Sequence, residues 1–282
     1  MKTLRKLFFE TKMTWVRVIL FAVATAVVTA AVLLLPVTAD TSFENLGVSF
    51  ECWILFALIV SLNCETPLEA GLKTFVFFLV SQPLIYLLQV PFSSLGWGLF
   101  QYYPRWFVWT VLCLPGGMIA WLVKKDRWWS ALILSVATGF LGAVGVYFLQ
   151  NTLRQFPKNL ISVLFCFLLA AGLIFVLLKK RGNRMLAGAI TLAVTAAACV
   201  LLLRNAPAKT VTGTYALPEG PDWEIGESEG YVGSVFVDEN GVVSVEALQY
   251  GTEELTVENE AGDRVTLVVT YDKANGLQIT EK

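Results

Sequence analysis

The sequence predicts an α-helical multi-pass membrane domain of about seven transmembrane helices, followed by a small all-β domain at the carboxyl end. Of the 282 residues, 56% are hydrophobic and 15% are charged, and the mean hydropathy is +0.65. These values are typical of integral membrane proteins rather than soluble ones. Apolar runs recur over the first 203 residues, whereas the segment Val235–Tyr271 alternates with a period of two and is broken by glycines.

Charge divides the chain at the same place. Residues 1–204 hold 17 basic and 7 acidic residues, a net charge of +10, and residues 205–282 hold 4 basic and 15 acidic residues, a net charge of −11. The chain has no histidine, the commonest metal ligand and general base, and its five cysteines form no CxxC pair. No nucleotide-binding, zinc-protease or serine-hydrolase motif occurs, and no basic-aromatic surface suits nucleic acid. We therefore expect no catalysis, no cofactor, no metal and no nucleic-acid partner.

Seven segments are apolar enough to cross a bilayer, whose hydrocarbon core of about 30 Å needs about 20 residues of helix. The second and third are the shortest. The seven are Val16–Pro36, Leu46–Leu62, Thr74–Val90, Trp106–Val123, Trp128–Leu149, Leu160–Leu178 and Met185–Leu203.

The distribution of Lys and Arg predicts the direction of these spans. Basic clusters precede span one and separate spans four and five (residues 124–127) and spans six and seven (residues 179–184). All three clusters fall on one side if the spans alternate, and positive charge gathers on the cytoplasmic side. We therefore expect a plasma-membrane protein with a cytoplasmic amino terminus (residues 1–15), seven spans (residues 16–203) and a short linker (residues 204–210). The β domain (residues 211–282) is then extracytoplasmic.

Residues 1–39 also fit a secretory signal, with a basic start, an apolar core and Val-Thr-Ala before Asp40. The core from Val18 to Leu35 is longer than the roughly 7–15 residues of a usual signal, which favours a retained anchor. Cleavage would leave six spans and the same final sidedness.

Strand and turn signals follow one another after residue 210. In the stretch RVTLVVTY, Val265, Leu267, Val269 and Tyr271 alternate with residues of the opposite face, which indicates a half-buried antiparallel strand. Asn240-Gly241, Ala261-Gly262-Asp263 and Asn275-Gly276 predict tight hairpin turns. About seven short strands without a helix signal predict a small β-sandwich.

The segment has a strand that ends in Val237-Asp238, a turn glycine at Gly241, the pair Gly251-Thr252 and a second turn glycine at Gly262. This pattern resembles the second half of bacterial immunoglobulin-like domains of the group 2 type. The first half departs from the pattern, because the usual Trp-Ser-Ser strand is absent and Trp223 is its only counterpart. The resemblance implies an extracytoplasmic spacer or adhesive module, and it implies no catalysis. Calcium binding by the Asp-Glu-Asn-Gly stretch is a weaker alternative to ordinary turn chemistry.

Polar and helix-breaking residues inside the spans are the candidate functional site, because they are costly in a bilayer. Glu51 is either a proton or cation site, with Arg105 as a possible partner, or an interfacial carboxylate that reaches the headgroups. Breakers in spans three and four either line a cavity, as in transporters, or are kinks repaired by neighbouring helices. These breakers are Gln82 and Pro83 in span three, and Pro115, Gly116 and Gly117 in span four.

Other local patterns predict structure. Gly139, Gly142 and Gly145 in span five indicate close helix packing. The aromatic loop Pro91–Trp106 is interpreted as an interfacial segment, or as a docking site for a hydrophobic partner or lipid. Thr66, Pro67 and Glu69 predict a helix start, with Thr66 as the N-cap.

The sequence thus favours a membrane protein that contacts the bilayer and displays an immunoglobulin-like module, through which it binds an envelope or membrane-protein partner. The alternative is a small transporter or permease subunit that uses broken spans three and four.

Overall fold

The protein is described by a computed structural model that covers residues 2–35, 38, 41–43, 50–93, 95–154, 156–157, 159–204, 211–218, 223–228, 232–238, 240–259 and 261–282. Two compact units result from the contacts within the chain. The first extends to Cys199 and is helical, and the second begins at Val200 and contains the sheets. Of the predicted linker at residues 204–210, Arg204 belongs to the last helix, and residues 205–210 lie outside the described residues.

The described part of the first unit contains eight α-helices. They are α1 (Lys2–Phe9), α2 (Trp15–Leu34), α3 (Phe50–Leu62), α4 (Pro67–Gln89), α5 (Tyr103–Trp121), α6 (Trp128–Arg154), α7 (Leu160–Leu177) and α8 (Arg181–Arg204). Six of them, α2 and α4–α8, are long and apolar enough to cross a membrane, and α3 is a shorter apolar helix. The prediction of a helical region with several membrane-capable helices is confirmed.

Capping side chains explain where α4 begins. Thr66 accepts a hydrogen bond from the Glu69 backbone N–H at 3.2 Å, Pro67 is the first helical residue, and the Glu69 carboxylate accepts from Glu65 N–H at 2.7 Å. This satisfies donors that a helix start leaves open, and it confirms the predicted cap. The helix starts seven residues before the predicted span because polar first-turn residues hide its beginning from a hydropathy reading.

The helices of spans three and four are continuous at their predicted breakers, which fits the interpretation as kinks repaired by neighbouring helices. Helix α4 continues through Pro83, and α5 continues through Pro115. Proline removes one backbone donor, but neighbouring helices in a bundle can compensate for it.

The core of the helical unit is an aromatic cluster where α2, α3 and α4 meet. The Trp53 ring lies 5.7 Å from that of Phe78 and 6.3 Å from that of Phe77, and Phe21 contacts both Phe56 and Phe77. Small buried residues of α2, including Ala22 and Ala26, allow the helices to approach closely.

The second unit contains two antiparallel sheets. The strands are β1 (Val211–Ala216), β2 (Trp223–Ser228), β3 (Gly233–Val237), β4 (Val242–Ala247), β5 (Gly251–Asn259), β6 (Arg264–Asp272) and β7 (Gly276–Glu281). Their order is β1-β4-β3 in one sheet and β2-β5-β6-β7 in the other. Apolar faces of both sheets share one core around Trp223, Val245, Leu255 and Leu267. The predicted turn glycines Gly241, Gly262 and Gly276 all have positive φ, between 70° and 88°.

Candidate functional site

The three basic clusters of the helical unit meet at one end of the bundle. Arg5, Lys124 and Lys179, one from each cluster, line a common cavity of about 210 Å³ together with Glu10 and Asp126. We call this end the basic end. If the spans alternate in direction, the three basic clusters must lie on the same side. In the folded chain they lie together.

Asp126 holds the basic end together. It lies between α5 and α6 in a left-handed conformation (φ 47°) and is 8% exposed. Its carboxylate accepts hydrogen bonds from the backbone N–H groups of Lys179 and Lys180, both at 3.0 Å, and from Asn183 Nδ2 at 2.9 Å. A carboxylate at a helix amino terminus satisfies open donors and complements the helix dipole, so Asp126 anchors the start of α8.

The amino-terminal segment is tied to the same end. Thr11 N–H donates to Asn63 Oδ1 at 2.9 Å, and Asn63 Nδ2 donates to the carbonyl of Leu7 at 2.6 Å. The ammonium of Lys73, which is buried, contacts the Met13 carbonyl and the Glu69 carboxylate. These contacts fix the entry of the chain into α2.

Glu51 is the least exposed acid described in the helical unit, with no accessible surface. The Cys166 thiol on α7 lies 3.6 Å from its Oε1, and its Oε2 has no hydrogen-bond partner within the described residues. The interpretation as a carboxylate that reaches the headgroups is therefore wrong, because the side chain points into the bundle. Arg105 is exposed at the start of α5, and no ion pair joins these two described residues.

Ser81 and Gln82 lie in the same region of the bundle as Glu51. The ring centroids of Trp53 and Phe78 are 5.7 Å apart, so the parts of the antiparallel helices α3 and α4 around them are adjacent. Glu51 lies two residues beyond Trp53, and Ser81 and Gln82 lie three and four residues beyond Phe78. Ser81 Oγ and Gln82 Nε2 are buried without a hydrogen-bond partner among the residues described. Glu51, Ser81 and Gln82, which we call the Glu51 layer, therefore include more buried polar atoms without a hydrogen-bond partner, within the part of the chain that the structure describes, than is usual inside a membrane protein.

The Pro115-Gly116-Gly117 segment is a helix contact rather than a cavity wall. A Cβ on Gly117 would lie 2.9 Å from the Ala70 carbonyl oxygen, and one on Gly71 would lie 2.6 Å from the Leu114 carbonyl oxygen. Gly116, by contrast, has open space around it. The two glycines let the backbones of α4 and α5 approach closely.

The glycines of α6 face two different helices. Gly139 and Gly142 face Val194 and Thr195 of α8, and Gly145 faces Cys166 and Phe167 of α7. Thr138 and Thr191 add a hydrogen bond of 2.7 Å between α6 and α8.

The aromatic loop forms a short 3₁₀ helix, Gly96–Tyr102. Trp97 is 70% exposed, and its ring stacks on that of Phe100, with centroids 5.8 Å apart. Exposed aromatic rings at a span end are typical of a headgroup-level segment.

The sheet unit buries one acid as well. Glu253 points into the core at 3% exposure, and its Oε2 accepts from Val232 N–H at 2.9 Å.

The acids Asp238 and Asp272 act in turns. Asp238 accepts from the N–H groups of Val242 and Asn240, which hold its pKa below the ordinary 3.8. These hydrogen bonds are the ordinary turn chemistry that the sequence favours over a calcium loop.

Comparisons with protein-family models, with curated proteins and with solved structures found no match for this chain. Fold and site therefore define a class only: a helical protein with six membrane-capable helices among its described residues, followed by an antiparallel sheet domain.

Three residues of this site escaped the sequence reasoning. Asp126 and Asn183 lie 57 positions apart, and Cys166 lies 115 positions from Glu51. In the sequence, Asp126 could have been noticed because it is a lone acid within a basic loop. Nothing in the local pattern distinguishes Cys166 from the other cysteines.

Proposed function

We propose that this chain is a non-catalytic bacterial plasma-membrane protein that presents an immunoglobulin-like domain outside the cytoplasm, where the domain contacts an envelope or membrane-protein partner. The observation that carries this proposal is the basic end. Helix α8 starts there, at the Asp126 anchor, and its 24 residues reach about 36 Å, which is enough to cross the hydrocarbon core. With the basic end cytoplasmic, the chain after α8 emerges on the outside.

If α3 crosses the membrane in addition to the six longer helices, the number of spans is odd. Its Phe50 ring lies 5.3 Å from the rings of both Trp106 and Trp109 in the first turns of α5. Just past its other end, the Cys64 carbonyl accepts from Trp121 Nε1 at 3.0 Å and from Lys124 Nζ at 2.8 Å. Helix α3 therefore accompanies α5 from its first turns to its last residue, which favours seven spans.

The strand order supports the immunoglobulin-like assignment. Constant-type domains place strands A, B, E and D in one sheet and C, F and G in the other. If β1 to β6 correspond to B to G, the observed sheets have the orders B-E-D and C-F-G, with β7 added beside G. Trp223 then lies on strand C, where such domains bury a tryptophan, and it is 8% exposed.

The packing of α2 favours a retained helix over a cleaved signal. Six of its residues are buried, among them Val18, Ala22 and Ala26, and the segment before it is held by Asn63 and Lys73. Mass determination of the mature protein from membranes tests this point, and we expect the complete amino terminus.

The binding role is tested with a photoreactive amino acid at Phe236, which is 60% exposed on β3, in intact cells. We expect an adduct with an envelope or membrane protein. The matched control is Val245, which is fully buried on β4 and should give none. Adducts only with cytoplasmic proteins, or none from Phe236 at any expression level, would contradict the proposal.

A second candidate function, proton- or cation-coupled transport, rests on Glu51 and the unpaired Ser81 and Gln82 in the same layer. The substitution Glu51→Gln keeps the shape and removes the charge. Transport predicts that this variant inserts normally but loses pH-dependent uptake or efflux in proteoliposomes. Identical ion and proton fluxes for both proteins would remove this candidate.

A further inference from the structure

An apolar groove runs between α7 and α8, and α6 forms its floor. Its volume is about 630 Å³, and Phe167, Ala170 and Ile174 of α7 and Gly188, Leu192 and Thr195 of α8 line it. Helix α8 is the least buried of the six membrane-capable helices, with 6% of its apolar window covered. The groove therefore opens toward the lipid.

Two arginines mark one end of this groove. Arg181 and Arg184 belong to its lining and stand in the first turn of α8 at the basic end. Arg184 is held in place, because its Nε donates to the Leu178 carbonyl at 2.6 Å and its guanidinium lies over the Phe175 ring at 5.9 Å. Its two terminal nitrogens remain able to bind an anion, since five donors are available on the guanidinium.

The length of the groove matches one leaflet. The part of α8 that lines the groove, from Arg181 to Thr195, rises about 21 Å, of which about 16 Å lie beyond Arg184, and half of a hydrocarbon core is about 15 Å. In a bilayer, the two arginines would lie at headgroup level and the apolar end near the midplane.

We infer that this groove is a binding site for an anionic phospholipid. The phosphate and any further anionic group lie at Arg181 and Arg184, and one acyl chain lies along Gly188 and Leu192. Basic pockets between transmembrane helices on the cytoplasmic side recognise anionic headgroups in this way. Only the choice of the cytoplasmic leaflet rests on the proposed orientation.

The site is tested by native mass spectrometry of the full chain in detergent with added phosphatidylglycerol or phosphatidylcholine. We expect the protein to retain phosphatidylglycerol in preference. Arg181→Gln with Arg184→Gln should weaken that preference by on the order of 10-fold, as expected for the loss of two cations. Arg127→Gln removes an exposed charge of the neighbouring loop and should change nothing.

A second pair of variants tests the apolar part. A Cβ at Gly188 or at Gly172 meets no atom within 4 Å, so a side chain can begin at both positions without a clash. Gly188→Leu fills the groove and should reduce retention of both lipids, whereas Gly172→Leu lies outside the lining and should leave retention unchanged.

Three results would overturn the inference. They are equal retention of both lipids by the unmodified protein, retention unaffected by Gly188→Leu, and a lipid-free dimer that Gly188→Leu dissociates, which would make a second copy the occupant. Phosphatidylglycerol with a photoreactive acyl chain gives an independent measurement on the unmodified protein. Adducts should map to residues 167–175 and 181–195, and adducts confined to other helices would refute the site.

Discussion

At the basic end of the bundle, the carboxylate of Asp126 accepts hydrogen bonds from two backbone N–H groups and from Asn183. Toward the opposite end, the carboxylate of Glu51 has a thiol at 3.6 Å and one oxygen without a partner in the described part of the chain. Both acids are buried. A satisfied buried acid contributes to stability, whereas an unsatisfied one costs free energy and needs a functional reason to persist. The comparison therefore makes Asp126 a structural residue and leaves Glu51 as the candidate for a chemical role.

The largest loss of stability that we expect is in the sheet unit, and it serves as a reference for the substitutions at the two ends of the helical bundle. Trp223→Ala removes the largest side chain of its core, and we expect the free energy of unfolding of this unit to fall by about 3–5 kcal/mol. Limited proteolysis of the full protein should then cleave after residue 204 while the helical unit stays intact. Phe236→Ala, at an exposed ring, is the control and should keep the native digestion pattern.

Asp126→Ala should cause the second largest loss. Removal of the carboxylate leaves the buried amide of Asn183 and two partly buried backbone N–H groups without this partner, and we expect a cost of about 3 kcal/mol, measured as reversible unfolding in mixed micelles. Asp126→Asn keeps an acceptor and tolerates the left-handed backbone, so it should lose clearly less. Equal losses in the two variants would mean that the backbone conformation, and not the hydrogen bonds, matters at this position.

The same measurement on Glu51→Gln sharpens the comparison of the two ends. Because few interactions depend on its charge, we expect the free energy of unfolding to change by less than about 1 kcal/mol. A loss as large as that of Asp126→Ala would make Glu51 a structural residue and would end the argument for chemistry in its layer.

Glycine packing between α4 and α5 should give an intermediate effect that separates contact from conformation. Gly117→Ala places a Cβ against the Ala70 carbonyl and should cost about 1–3 kcal/mol. Gly116→Ala meets open space and should be neutral or stabilising by up to about 1 kcal/mol, because alanine favours helix. A larger loss of stability for Gly116→Ala than for Gly117→Ala would instead support the interpretation of this segment as a cavity wall.

The sequence predicted elements well and long-range partners poorly. Apolar runs marked the membrane-capable helices, and Thr66, Pro67 and Gly241 were correctly placed because caps and tight turns depend on neighbouring residues. The sequence left open whether α4 continues through Pro83, because that depends on packing by other helices. The Asp126–Asn183 and Glu51–Cys166 contacts join distant segments, and a single sequence carries no signal for such pairs.

The smallest expected effect concerns the turns of the sheet unit. Backbone N–H groups, those of Val242 and Asn275 foremost, lower the pKa values of Asp238 and Asp272 from 3.8. A lowered folded pKa gives stability that is present above the unfolded pKa and is lost as the pH falls through the folded value. We expect the sheet unit to lose stability below about pH 4, and Asp238→Asn to flatten that decline. A decline that is unchanged in Asp238→Asn would assign it to other acids.

The most direct test of the account is the side of the membrane on which the chain ends. A tag placed after Lys282 is exposed to protease in intact cells and, separately, in lysed cells. The basic end and the seven-span course predict digestion in intact cells. Protection until lysis would contradict the account, because it would place the sheet unit on the same side as the basic end.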